Sequence, residues 1–395
     1  MDREQREDQD QNLSSQGMSG AAEFLHRTVA DALRHRVTAG VLAGGAKLPT
    51  LRKIADEFAV STMTVRQAIR ALELEGHVYR IPGVGAFVRP QAPSRAAARK
   101  MLAFAASDLA SALEMGIARG IERACQKRGW SIQILDAQHE VDIEKRNMQR
   151  LPDSGAEGAM VLPTWGNNRC TEALFRLRQT GFPLVIVDRI PPGLQADLVE
   201  SDHEQGAYLA TKHLLAHGHS QVLMLTPPPL VSSIASRIQG YERALIEANI
   251  TPRPEWKVWL NLDLQATAFE QHRRWLGGYT AMMPVLRKVR TPVAVFAVDP
   301  YTAWGVYEAC RELHLDIPED VSIVGFDESE ITQAMRPAIT IVAQRADDIG
   351  DAAVELLQRR IETGLTRNER RCTYSHVVVD VDLVDRESVS RVSGR

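Results

Sequence analysis

Two kinds of hydrophobic pattern divide this chain of 395 residues. In the first 90 residues the apolar positions recur at helical spacing, and Val65, Ala68, Ile69 and Leu72 follow the i, i+3, i+4, i+7 pattern of one helix face. Beyond about residue 100, short and almost continuous apolar runs alternate with longer amphipathic segments. The pattern therefore predicts a small helical domain followed by a larger α/β region.

The N-terminal pattern predicts three short helices and a two-stranded hairpin. The helices are expected at residues 25–39, 51–58 and 61–74, and the hairpin at 78–88. Ser61 can cap the third helix, which Gly76 ends. Because only Ala59 and Val60 separate the second and third helices, the two form a helix-turn-helix. In that motif the N-terminal residues of the second helix enter the DNA major groove.

The outer face of the third helix carries groups that suit another hydrogen-bonding surface. Short hydroxyls, arginine and glutamine stand where a solvated helix usually has Glu and Lys. Residues 24–90 hold ten Lys and Arg against five Asp and Glu, although the whole chain has a net charge of −3. The candidate DNA contacts are Arg52, Ser61, Thr62, Met63, Thr64, Arg66 and two glycines of the hairpin turn, Gly83 and Gly85.

The segment AGVLAGGAKLPTLRKIADEFAVSTMTVRQAIRALELEGHVYRIPGVGAFV resembles the winged helix of GntR-type regulators throughout its length. The resemblance implies that the hairpin is a wing that approaches the DNA backbone. Thr62 stands where that family usually has Arg, and Met63 stands where it has a polar or small residue. Met63 is therefore a candidate contact to a thymine methyl group. The alternative is a helix-turn-helix that serves only for packing.

Seven apolar runs follow: MLAFAA, IQIL, GAMVLP, PLVIVD, QVLMLT, PVAVFAV and VSIVGF. Such strands, separated by helices, indicate parallel sheets covered on both faces. Seven strands are more than one ordinary sheet domain requires, so two α/β lobes are expected. Ligands of parallel sheets bind at the carboxyl ends of the strands. The strands end at four aspartates, Asp108, Asp188, Asp299 and Asp327.

Three segments resemble, in order, the effector domain of LacI/GalR repressors, which is similar to periplasmic sugar-binding proteins. They are VESDHEQGAYLATKHLLAHGHSQVLML, SRIQGYERAL and AVFAVDPYTAWGVYEACRELHLDIPEDVSIVGFDES. With a GntR-type head, this body resembles the arabinose-repressor subfamily. The resemblance implies four effector contacts: Asp188, Arg237, Asp299 and Asp327. Carboxylates accept from sugar hydroxyls, and an arginine is a forked donor. Val298 stands where the family commonly has Asn, so one donor and acceptor pair is missing.

Several of these candidates also have a structural interpretation. Asp299 can cap the helix that follows it, and Asp327 can stabilise the turn after its strand. Arg237 is placed at the start of a helix and is harder to explain by packing. Trp165 and Trp275 can stack on a sugar ring or belong to the core or the rim of the site.

Composition limits the remaining possibilities. Four scattered cysteines, Cys125, Cys170, Cys310 and Cys372, favour free thiols in a reducing compartment. In KHLLAHGHS, Leu214 replaces the glutamate of the H-E-x-x-H metal motif, so neither a metal nor another cofactor is expected. The first 22 residues are not a secretory signal, and no apolar run is long enough to span a membrane. A cytoplasmic protein without membrane contact is expected.

The sequence thus predicts an α/β protein with five regions. They are a disordered tail at 1–22, a winged helix-turn-helix DNA-binding domain at 23–90, a linker at 91–100, a two-lobed periplasmic-binding-protein-like domain for effector binding and dimerisation at 101–385, and a tail at 386–395. The predicted function is a ligand-responsive transcription regulator, most simply a repressor. It would bind double-stranded operator DNA as a homodimer, and a small carbohydrate-like effector would change its affinity.

Two other functions remain open from the sequence. One is an enzyme-like body tethered to a DNA-binding head, although no G-x-S-x-G elbow, phosphate loop or paired catalytic histidine is present to support an enzyme. The other is a solute-binding protein for transport, against which the N-terminal winged helix argues.

Overall fold

The computed structural model describes residues 25–37, 41–43, 45–81, 84–89, 100–164, 171–264, 273–363 and 374–392. The chain divides into two compact units, Met1–Ala98 and Arg99–Arg395. The predicted tail at 1–22, residues 91–99 of the predicted linker, Gly83 and Trp165 all lie outside the described residues.

The N-terminal unit contains three helices and an antiparallel hairpin. These are α1 (residues 25–37), α2 (Leu51–Phe58), α3 (Thr62–Leu74), β1 (Val78–Ile81) and β2 (Gly85–Val88). Thr50 and Ser61 cap α2 and α3, because their side chains accept from main-chain N–H groups three residues later. Ala59 ends α2 in the left-handed conformation, with φ 52°. The apolar sides of the helices and the hairpin enclose one core, which includes Leu33 and Leu72.

The C-terminal unit has two lobes, each built on a six-stranded sheet. In lobe 1 the strands are β3 (Met101–Ala106), β4 (Ser131–Asp136), β5 (Ala159–Val161), β6 (Leu184–Val187), β7 (Asp197–Ser201) and β13 (His376–Val379). Their order is β13-β7-β6-β5-β3-β4, and all neighbours are parallel. The helices of this lobe are α4 (Ala112–Lys127), α5 (Val141–Arg150), α6 (Thr171–Gln179) and α12 (Ala346–Glu362).

Lobe 2 repeats this architecture with one antiparallel edge. Its strands are β8 (Val222–Thr226), β9 (Lys257–Trp259), β10 (Val293–Ala297), β11 (Val321–Phe326), β12 (Thr340–Gln344) and β14 (Val381–Val384). Their order is β14-β12-β11-β10-β8-β9, and only β14 runs antiparallel to its neighbour. The helices are α7 (His203–Ala216), α8 (Ser232–Glu247), α9 (Leu276–Leu286), α10 (Pro300–Leu313) and α11 (Glu330–Ala334). All seven predicted strands are present, and the predicted α/β fold with two lobes is confirmed.

The chain passes between the lobes at three points. They are Asp202 between β7 and α7, Arg345 between β12 and α12, and Asp380 between β13 and β14. Arg345 bonds Asp382 through Nε and Nη2, both at 2.8 Å, so the second and third connections are tied together. These three connections are called the hinge below. Within the described part of the chain, no helix is long and apolar enough to cross a membrane.

Lobe 2 extends beyond the domain end predicted at residue 385. Ser388 is fully buried, and its hydroxyl donates to the main-chain oxygen of Ile323 at 2.6 Å while accepting from the N–H of Thr340 at 2.8 Å. The N–H of Val392 donates to the main-chain oxygen of His217 at 2.8 Å. Residues 386–392 therefore belong to the domain rather than to a tail, because they satisfy buried main-chain groups of β11 and β12.

Candidate functional site

The start of α3 forms an exposed polar surface on the N-terminal unit. Ser61, Thr62, Met63 and Arg66 are exposed, and Met63 has 58% of its surface open to solvent. Thr64 differs from the prediction, because it is buried and its hydroxyl lies 2.8 Å from the hydroxyl of Ser61. Thr64 therefore stabilises the beginning of the helix instead of presenting its hydroxyl to a partner.

Some basic residues of this unit form ion pairs with acidic residues, and others do not. Arg34 forms two hydrogen bonds to Glu75, at 3.0 and 2.9 Å, and Arg36 pairs with Glu57. Within the described residues, four cations on α2 and α3 make no ion pair: Arg52, Lys53, Arg66 and Arg70. Lys47 and Arg89, which flank the hairpin, also make no ion pair among the described residues, so uncompensated positive charge lies on both the helix-turn-helix and the hairpin side, where DNA phosphates would be met.

The hairpin has the glycine geometry that a wing requires. Gly85 has φ 141°, and a Cβ placed there would lie 2.8 Å from Cε of Lys47. Val84 at the tip is exposed. Arg80, which precedes the turn, lies 3.4 Å from Glu73 of α3 and is therefore tied to the helix. Gly83, the other predicted contact of the turn, lies outside the described residues.

One cavity of the C-terminal unit lies between the two lobes and has a volume of about 120 Å³. This is several times the space that one water molecule needs, so the cavity can hold a small organic molecule. The structure brings all four predicted residues to its wall: Asp188, Arg237, Asp299 and Asp327. They follow strands or lie on helices of both lobes, as expected for a site at the carboxyl ends of parallel strands.

Asp188 directly follows β6 and is almost completely buried, with φ 67°. Arg189 donates to its Oδ2 at 2.9 Å, and Nε2 of His203 lies 3.0 Å from its main-chain oxygen. Burial opposes ionisation of Asp188, but the hydrogen bond and charge of His203, with Arg189 and Arg237, hold the pKa of the carboxyl well below its usual range. Nε2 of His203 also lies 3.4 Å from its Oδ1, which has no other hydrogen-bond partner within the described residues. Asp188 is thus an ionised acceptor at the cavity wall, with His203 beside its Oδ1.

Arg237 lies in the second turn of α8, so its predicted place at the start of a helix is wrong. Its Nη1 donates to the main-chain oxygen of Val298 at 2.6 Å, and Nη2 lies 3.4 Å from Nδ1 of His203. The side-chain Nε is buried without a partner among the described residues. One arm of the Arg237 guanidinium group is therefore already bound within the protein. Its acceptor is the main-chain carbonyl of Val298, the residue that stands where the family commonly has Asn.

Asp299 and Asp327 follow the neighbouring strands β10 and β11. Oδ1 of Asp299 accepts from the N–H groups of Tyr301 and Thr302 at 2.9 and 2.8 Å, so Asp299 caps α10 as well as lining the cavity. Asp327 has φ 73° and accepts from the amide of Gln344. Burial raises the pKa of both carboxyls. Asp299 therefore both caps a helix and lines the cavity.

Glu114 and Arg189 also line the cavity, although neither was predicted from the sequence. Glu114 lies in the first turn of α4 and accepts from the hydroxyl of Ser107 and from the N–H of Asp108 at 2.9 Å. Burial raises its pKa to about 7, against the charge of Arg189, whose Nη2 lies 3.5 Å away. Arg189 directly follows the predicted Asp188, and this adjacency is the only sequence feature that could have indicated it as a cavity residue. No sequence feature indicated Glu114, because its place in the cavity depends on where α4 begins relative to β3.

Two further cavity residues come from loops. Burial lowers the pKa of His139 to about 4, so this imidazole is neutral near pH 7. Arg274, which precedes α9, lies 2.7 Å from Asp108. Trp275 does not line the cavity. Its ring instead packs edge-on against Tyr279, with 5.7 Å between centroids, and lies 6.1 Å from Trp304.

Comparison with known proteins agrees with this division. Residues 25–88 match the model of bacterial regulatory proteins of the gntR family, and residues 211–389 match that of the periplasmic binding protein-like domain. The ribose operon repressor of Haemophilus influenzae is 30% identical over 273 residues, which cover 68% of this chain and 75% of that protein. The HTH-type transcriptional repressor PurR of Aliivibrio salmonicida is 28% identical, over 69% of this chain and 76% of that protein.

Solved structures share the fold. The transcriptional regulator CelR in complex with cellobiose superimposes with a TM-score of 0.62 and 22% identity, covering 86% of this chain and 100% of that one. A LacI family transcriptional regulator from Enterococcus faecium with bound ribose gives a TM-score of 0.57 and 23% identity, over 74% of this chain and 100% of that one. The two units define a DNA-binding protein with a ligand-binding body. The chain belongs to the LacI-type family of transcription regulators and carries a GntR-type DNA-binding domain.

Proposed function

We propose that this protein is a transcription repressor that binds operator DNA through its N-terminal unit and a small carbohydrate-like effector in the cavity between its lobes. One observation carries the effector assignment. Oδ1 of Asp188 and Nε of Arg237 belong to buried side chains of the cavity wall. Within the described residues Nε has no hydrogen-bond partner, and Oδ1 has only the ring of His203 at 3.4 Å. A buried polar group without a partner costs about 1–3 kcal/mol, which a hydroxyl-bearing ligand would recover.

The chemistry of the wall favours a neutral, polar ligand. Carboxylates accept hydrogen bonds from hydroxyl groups, and Arg237 offers a donor that is already oriented. Apolar side chains such as Ile234 and Val298 also line the cavity and could contact the C–H faces of a ring. Ribose and cellobiose in the related structures support the carbohydrate class.

The DNA assignment rests on the exposed start of α3 and the uncompensated cations on α2 and α3. A single winged helix reads only half of a symmetric site, so we infer that the protein acts as a homodimer. It would work on DNA in the cytoplasm without catalysing a reaction. Lobe movement about the hinge would couple the effector to DNA binding, because both ligands can bias one two-state element.

Two measurements test this function. Selection of bound duplexes from a random-sequence library should enrich one inverted repeat, and the lack of any enriched sequence would reject the regulator. Fluorescence anisotropy of that duplex, titrated with pentoses, hexoses and disaccharides, should then reveal a sugar that changes its affinity. A ligand at 100 times its Kd should also add about 2.7 kcal/mol to the free energy of unfolding. If DNA binding is specific and no sugar acts in either assay, the carbohydrate class is wrong.

A further inference from the structure

An ion pair joins the two lobes at the wall of the cavity. Asp108 follows β3 of lobe 1, Arg274 precedes α9 of lobe 2, and the distance from Nη1 to Oδ2 is 2.7 Å. Both residues line the cavity, and their side chains are only 10% and 17% exposed. A pair with so little exposure is screened by salt much less than a surface pair.

Each partner is also held in place by its own lobe. Oδ1 of Asp108 accepts from the N–H of Ala110 at 3.1 Å, which leaves Oδ2 for the arginine. Arg274 donates to the hydroxyl of Tyr301 at 3.3 Å, and its guanidinium group lies 5.2 Å from the centre of that ring. Because both side chains are already ordered, the ion pair costs little additional conformational entropy and connects two preformed surfaces.

Two other direct contacts between the lobes are of a different kind. The N–H of Ile190 donates to the hydroxyl of Ser232 at 2.9 Å, and His203, the first residue of α7 after the hinge, contacts Asp188. Asp108 and Arg274 are not hinge residues, whereas His203 directly follows the hinge residue Asp202, so rotation about the hinge can separate the ion pair more than the contact of His203 with Asp188. The ion pair is therefore suited to report, and to bias, whether the lobes are closed.

We propose that the Asp108–Arg274 ion pair is a clasp that holds the lobes closed over the cavity even without effector, and that it opens when effector enters or leaves. The inference rests on the proposed function only in taking the cavity as the effector site. A protein that is closed without ligand binds slowly, because only the fraction of open molecules admits the effector.

The test measures the distance between the lobes in the full chain without effector or DNA. Spin labels carried by unnatural amino acids at Glu140 of lobe 1 and Glu330 of lobe 2, both exposed, leave the native cysteines in place. Pulsed electron–electron double resonance should give mainly one short distance between the two labels in the otherwise unchanged protein. Asp108→Asn, which keeps the shape and removes the charge, should move the distribution to longer distances and lower the closed-to-open ratio by roughly tenfold.

Three further variants make the result specific. Arg274→Gln should act like Asp108→Asn, whereas Arg274→Lys keeps the charge and should retain the short distance. Glu172→Gln removes an exposed ion pair with Arg176 on α6, inside lobe 1, and should change nothing. An unchanged distribution in both Asp108→Asn and Arg274→Gln, with normal circular dichroism, would overturn the clasp. So would opening in the Glu172→Gln control or in Arg274→Lys to the same extent as in Arg274→Gln.

The tests of the clasp and of the proposed function are independent of each other. The distances are measured without any effector, so a sugar screen without a hit would not alter them. Unchanged distances would likewise leave DNA selection and effector response to be judged on their own results.

Discussion

The guanidinium group of Arg237 lies over the ring of Phe326, with 3.7 Å between its central carbon and the ring centroid. Phe326 is the last residue of β11 and immediately precedes Asp327. The strand that brings Asp327 to the cavity thus also fixes the arginine opposite it. Arginine suits this stacked position because its planar group is weakly hydrated and can use its edge for hydrogen bonds.

Replacing Arg237 should abolish the effector response without abolishing DNA binding. Arg237→Ala removes the free donor Nε from the cavity and should lower effector affinity by about 1.5–3 kcal/mol. Operator binding without effector should persist, because the variant leaves the N-terminal unit unchanged. Anisotropy of labelled operator during an effector titration measures both properties. Arg237→Lys, which keeps the charge and loses the planar group, is the matched control and should also respond poorly. A normal response of the alanine variant would remove Arg237 from the site.

Replacement of Asp299 and replacement of Asp327 should have different effects on the free energy of unfolding. Asp299→Ala removes the cap of α10 and should lower the free energy of unfolding by about 1 kcal/mol, in addition to any effect on the effector. Asp327→Asn keeps the size of the side chain and should weaken effector binding with a smaller change in stability. Denaturant unfolding and calorimetric titration separate the two effects. An equal loss of stability in both variants would contradict the assignment of the cap to Asp299 alone.

Arg66 should contribute to DNA recognition. Arg66→Ala should weaken operator binding by about 1–3 kcal/mol, with relaxed preference at one position, if the side chain contacts a guanine edge. A uniform loss across sequences would assign it to a phosphate. Arg34→Ala is a suitable control, because Arg34 is already paired with Glu75. Binding that is unaffected by loss of Arg66 would exclude this residue from the interface.

The operator should be an inverted repeat bound by a dimer. Two identical winged helices related by a twofold axis read identical half-sites in opposite directions. Analytical ultracentrifugation of the protein, alone and with the selected duplex, measures the stoichiometry. A monomer under both conditions would contradict the homodimer, and so would tight binding to a single half-site as strong as binding to the full repeat.

Glu114 should give stability a recognisable dependence on pH. Burial raises its pKa from 4.5 to about 7, so over that range the folded protein keeps a proton that the unfolded chain releases. This group therefore lowers the free energy of unfolding as pH rises from about 4.5 to 7, and has no further effect above that range. Glu114→Gln does not titrate, so its stability should fall less between about pH 5 and pH 7 than that of the unchanged protein.

Denaturant unfolding at several pH values provides the measurement for Glu114. His139, whose pKa is lowered by burial, changes stability in the opposite direction but is present in both proteins. The difference between the two proteins therefore isolates Glu114. Parallel pH profiles would mean that Glu114 titrates normally.

The sequence by itself determined the elements that depend on short-range pattern. The apolar spacing of α3 and the position of Ser61 are local properties, and so are the seven apolar runs that became strands, all of them buried except β4. Strands β7, β9, β12, β13 and β14 were missed because DLVES, KVW, TIVAQ, HVVV and VDLV are short or contain polar residues. Pairing with a neighbouring strand, rather than local pattern, makes these segments extended.

Only the tertiary structure decided what the side chains of the site do. Thr64 is buried against Ser61, Arg237 is bound to Val298 and Phe326, and Asp108 meets Arg274 from the other lobe. Each of these relationships depends on the distance and orientation of groups after packing, not on spacing along the chain. The sequence named residue types suited to the chemistry, and the fold of the two lobes determined which of their atoms remain available to a ligand.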